Sequence, residues 1–89
     1  MLKINHGALW AFCDRHEKNA TGASVHDVRQ NIMWLSDCLW FYVKHKNAGD
    51  YDSVMLREKL DFKAQGMERL RRLGEPEELW DDFLVAEEA

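Results

Sequence analysis

Between Ser24 and Asn47, apolar residues return every three or four positions. Val25, Val28, Ile32, Leu35, Leu39, Tyr42 and Val43 fall on one stripe of a helix turning about 100° per residue. Trp34, Cys38 and Phe41 form a second stripe roughly opposite, and Met33 and Trp40, seven apart, form a third between them. Only a narrow wedge with His26, Gln30, Asp37 and Lys44 is polar. A helix that is apolar nearly all round has to be covered on several sides.

The same periodicity predicts three more helices. Leu9, Phe12, Cys13 and His16 mark a first helix over about 5–19, with Asn5 as N-cap and Ile4 and Leu9 as a hydrophobic staple. Ser24 is expected to cap the second helix, 24–47, with Asp27 answering three residues on, and Ala48-Gly49 to stop it. Asp50 or Asp52 caps a third, 52–73, whose stripe is Leu56, Leu60, Met67 and Leu70, widened by Met55, Phe62 and Leu73. Its outer face carries the i,i+4 pairs Arg57–Asp61 and Glu68–Arg72. Glu75 and Pro76 open a short fourth helix, 76–86.

The expected fold is therefore all-α: a single domain, 1–89, in which helices 2 and 3 make a long antiparallel hairpin flanked by two shorter helices. Composition agrees. Leu, Met, Lys, Glu and Arg are abundant, there is one Pro, and 46% of residues are apolar, too many for a disordered chain.

Charge changes the picture more by its distribution than by its total of −4. Residues 1–74 hold twelve bases against nine acids, a net +3; residues 75–89 hold seven acids and no base, a net −7. That acidic end is amphipathic. Leu79, Trp80, Phe83 and Leu84 form an apolar face, with Glu77, Glu78, Asp81 and Asp82 mostly around it, the pattern of a helix that lies in a groove. Its own core between helices 2 and 3 is the expected groove; otherwise it docks on another protein or swaps between protomers.

Candidate chemistry is thin. No phosphate loop, nucleophile elbow or paired-carboxylate pocket is readable, so no catalytic residue, enzyme activity or cofactor is expected. Cys13 and His16 have the spacing of two metal ligands, but Cys38 and His45 are too far apart along a helix to supply the second pair, so no metal is expected. Two cysteines make no disulfide framework. The opening residues lack a signal-peptide core and no apolar run could span a membrane, which points to the cytoplasm.

Two function classes remain. In the first, the aromatic surplus of Met33, Trp34, Cys38, Trp40 and Phe41, with Leu79, Trp80, Phe83 and Leu84, is the interaction surface of a non-enzymatic protein-binding module, expected as a homodimer. Small Trp-rich chains of this class include regulators and inhibitors of larger machines, among them phage and mobile-element products. In the second, Arg69, Arg71 and Arg72, with Lys44 and Lys46, contact nucleic acid. The acidic residues that follow the Arg cluster, and the apolar surface of helix 2, argue against this class.

Overall fold

The computed structural model describes residues 1–87. In chain order the elements are β1 (Leu2–Ile4), α1 (His6–Asn19), α2 (Ser24–Ala48), α3 (Tyr51–Glu58), α4 (Phe62–Arg72), α5 (Leu79–Asp82) and β2 (Leu84–Ala86). The chain is mostly helical, with five helices and a small two-stranded sheet among the described residues.

The first two helices keep close to their expected limits because their stop and start signals are local. Asn5 caps α1 by accepting from the Ala8 N–H at 3.2 Å. α2 ends where Gly49 takes the left-handed conformation, φ 77°, and its N–H reaches back to Lys46 C=O. Ser24 differs from expectation. Ala23 is the N-cap, and the Ser24 hydroxyl instead ties the preceding turn, accepting from Thr21 N–H and donating to Thr21 C=O.

The expected third helix is two helices. Lys59 turns left-handed, φ 54°, and Asp61 caps α4 by accepting from Ala64 N–H. The Asp61 carboxylate also accepts from the Tyr51 hydroxyl at 2.7 Å, and that hydroxyl in turn accepts from Lys63 N–H. Asp61 therefore serves the break. The i,i+4 pair with Arg57 is not formed, and Arg57 bonds Glu58. The second pair expected on this segment, Glu68–Arg72, is present.

Past the break, Phe62 stacks on Phe41 and lies over His45, while Arg69 reaches Asn31, so α4 runs opposite to α2. Leu35, Leu39, Leu70 and Trp80 are the most deeply buried large side chains, with Phe12, Cys38, Tyr51, Val54, Phe62 and Phe83 around them. Leu56, expected on the buried stripe, is 80% exposed, and Leu60 is also exposed. Leu60 falls beyond the end of α3 at Glu58, while α3 itself turns Tyr51, Val54 and Met55 to the core and leaves Leu56 outside.

The expected fourth helix, 76–86, is reduced to the single turn of α5. Hydrogen bonds from Leu79, Trp80 and Asp81 reach back three residues rather than four. After Phe83 the backbone extends and pairs antiparallel with β1, Leu2 opposite Ala86, Lys3 opposite Val85 and Ile4 opposite Leu84. Two features favour this course over a helix. Trp80 seats its ring on Gly66, and Phe83 C=O accepts from Asn5 N–H at 2.8 Å. Asn5 is thereby both the cap of α1 and the end of the strand pair.

Candidate interaction surface

The surplus of α2 is resolved by its neighbours. α4, β1, α1 and α3 pack against α2 and bury Ile32, Leu35, Cys38 and Leu39, but they leave another face of the helix exposed. Met33 is 58% exposed, Trp34 48% and Trp40 54%, and Phe41 keeps a smaller exposed edge. Trp40 and Phe41 meet edge to face, ring centres 5.1 Å apart, so the two expected stripes join into one aromatic band.

Beside this band, Trp34, Cys38, Phe41, Leu60 and Phe62 line an apolar cleft of about 210 Å³, with Asp37 and Gln65 also on its walls. Phe62 sits on the α4 side because Asp61 starts that helix there. Cations border the band: the Arg69 guanidinium lies 5.0 Å from the Trp34 ring centre, and Lys44 Nζ lies 5.2 Å from that of Trp40. The Cys38 thiol is buried in the cleft wall. Burial pushes its pKa up to about 11, against the smaller opposing pull of Arg69, so the group is a thiol at neutral pH and no nucleophile.

The candidate surface residues thus fall into two sets. Met33, Trp34, Trp40 and Phe41 are brought together at the surface, with Cys38 beneath them. Trp80 and Phe83 are 1% and 2% exposed and belong to the core, and Leu79 and Leu84 are half-buried against it. Trp10, Leu60 and Leu56 are exposed apolar residues outside the expected set. Trp10 was findable: it lies off the Leu9, Phe12, Cys13, His16 stripe that turns α1 inward. Leu60 could not be placed without knowing that the helix breaks beside it.

The basic candidates are engaged within the chain. Arg71 bonds Glu68 and Glu77, Arg72 bonds Glu68, and Arg69 donates to Asn31. Lys46 Nζ stands over the rings of Tyr42 and Tyr51. Of the Cys13/His16 pair, His16 contacts Glu75 at 3.0 Å through Nε2, and Arg15 shares the same carboxylate oxygen. Burial raises the Cys13 pKa, opposed by a hydrogen bond with Ser36. No helix is long and apolar enough to cross a membrane among the described residues. Comparison with family models, with curated proteins and with solved structures returns no match, so the surface has to be read from its own chemistry.

Proposed function

We propose that this chain is a non-enzymatic protein-interaction module that acts by stoichiometric binding through the aromatic band of α2, and that it self-associates there as a homodimer. One observation carries the reading: Met33, Trp34 and Trp40 stand about half exposed within two turns of one helix, on either side of exposed Asp37 and beside an apolar cleft. Large apolar and aromatic side chains grouped this way are characteristic of interface centres rather than of free surface. A second copy supplies a matching surface, since a two-fold axis across the band would set Trp and Met against Trp and Met. In the wider role proposed, the chain is a small cytoplasmic regulator or inhibitor of a larger protein machine.

The test is the mass of the intact chain by light scattering at tens of micromolar. A dimer is expected, and Trp34→Glu should return a folded monomer, because the charge would have to be desolvated in an apolar contact. A wild-type mass of one chain overturns the homodimer. The nucleic-acid reading gains no support from the ion pairs that hold Arg71 and Arg72.

A further inference from the structure

The two edges of the small sheet are treated differently. Met1 and Glu87 exchange backbone hydrogen bonds, and Asn5 N–H donates to Phe83 C=O. In the register of the pair these are alternate positions, so Lys3 and Val85 also face each other's backbone. The N–H and C=O groups of Leu2 and Ile4 therefore point away from β2, and those of Leu84 and Ala86 point away from β1. On the β1 side the edge is closed at Leu2, though not at Ile4, whose backbone bonds no described residue. The Asn47 side-chain amide, on the last turn of α2, accepts from Leu2 N–H and donates to Leu2 C=O, both at 2.8 Å, as a neighbouring strand would. On the β2 side, no described residue bonds the backbone of Leu84 or Ala86, and Val85 and Ala86 are exposed.

An open edge is a template for a further strand, and charge selects its kind. Glu78, Asp81 and Asp82 are exposed and have no ion pair among the described residues, unlike Glu75, Glu77 and Glu87, which hold Arg15, Arg71 and Lys3. Asp82 is two residues from Leu84, at most about 7 Å along the chain. A second copy pairing edge to edge would bring the same carboxylates toward their equivalents, with no base in 75–89 to offset them. We propose that the outer edge of β2 binds an extended basic segment of another protein, whose backbone pairs with Leu84 and Ala86 and whose Lys or Arg side chains reach Asp81 and Asp82. This surface is separate from the aromatic band, and Trp34→Glu should leave it intact.

The experiment is an amide-resolved NMR titration of the full chain with an acetylated, amidated Lys-Val-Lys-Val-Lys peptide. Saturable shifts are expected, largest at the Leu84 and Ala86 amides. A Glu-Val-Glu-Val-Glu peptide should bind at least about tenfold more weakly, through like-charge repulsion. Ala86→Pro removes one outward N–H without touching the bonds to β1, and should abolish the shifts. A lysine peptide N-methylated on its pairing edge should fail likewise against the unaltered protein, so the result does not depend on how the proline variant folds. Absent shifts at Leu84 and Ala86, or equal binding of the acidic peptide, overturn the proposal. Shifts at these amides that grow with protein concentration and without peptide would assign the edge to a second copy, and overturn it too.

Discussion

Trp34 and Trp80 both sit in amphipathic, aromatic-rich stretches, yet one is half exposed and the other is among the most buried residues of the chain. The difference lies in what each meets. Trp80 meets Gly66 on α4, where the missing Cβ leaves room for the indole: a methyl group there would lie 2.0 Å from Trp80 Cζ3. Tyr42 closes on it edge to face, ring centres 5.3 Å apart. Trp34 has the Arg69 guanidinium over its ring and lines the cleft, and about half of it is left exposed. Sequence stickiness is therefore not the same as surface stickiness. A Trp becomes core when some other element offers it a recess, and Gly66 is that offer.

The contrast breaks most severely if the buried set is removed. Changing Trp80→Ala and Phe83→Ala together deletes two core rings and should cost more than the ~3–5 kcal/mol of a single large-to-Ala core change. At ~4–8 °C per kcal/mol the melting temperature falls by well over ten degrees, which a thermal melt reads directly. Filling the recess is next in size. Gly66→Ala would be mildly stabilising at an open helix site, but here it should destabilise by roughly 1–3 kcal/mol through overpacking. If its melt equals the wild type, the Trp80–Gly66 contact is not what buries the ring.

At the break between α3 and α4, Asp61→Ala should cost about 1 kcal/mol at neutral pH by removing the α4 cap. Burial works to raise the Asp61 pKa, but hydrogen bonds from Tyr51, Ala64 and Lys63 outweigh it and hold the carboxyl below its usual value of 3.8. A lowered pKa means the charged form is favoured on folding. Its contribution is complete above the usual value and is lost as pH falls below it. The gap in melting temperature between wild type and Asp61→Ala should therefore narrow as pH falls below about 4. Tyr51 has the opposite sign. Burial first, then its bond to Asp61, push its pKa up to about 12, so its contribution is lost as pH rises from about 10 toward 12.

The smallest effects belong to the exposed set. Trp34→Glu should change stability by no more than about 0.5 kcal/mol while abolishing self-association. A large loss of melting temperature would instead make Trp34 part of the core. Arg71→Ala, removing exposed ion pairs with Glu68 and Glu77, should move the melt least of all.

The helical character, the limits of α1, the end of α2 and the aromatic excess of α2 were legible because each rests on spacing or caps within about four residues: Asn5 with Ala8, Gly49 with Lys46, Trp34 with Cys38, and Cys38 with Phe41. The Asp61 cap was present in the sequence as well, but the same residue also fitted an i,i+4 pair with Arg57. Only the Tyr51 hydroxyl, brought close by the fold, decides between them. The C-terminal segment illustrates the other limit. Leu84–Ala86 is as compatible with the end of a helix as with a strand, and it becomes β2 because Leu2–Ile4, more than eighty residues away at Leu2–Ala86, is held alongside it. Periodicity determined which residues need burial, whereas the tertiary structure decided which of them obtain it. Burial depends on where distant surfaces meet, and a three-residue strand or a recess made by one glycine leaves no periodic trace along the chain.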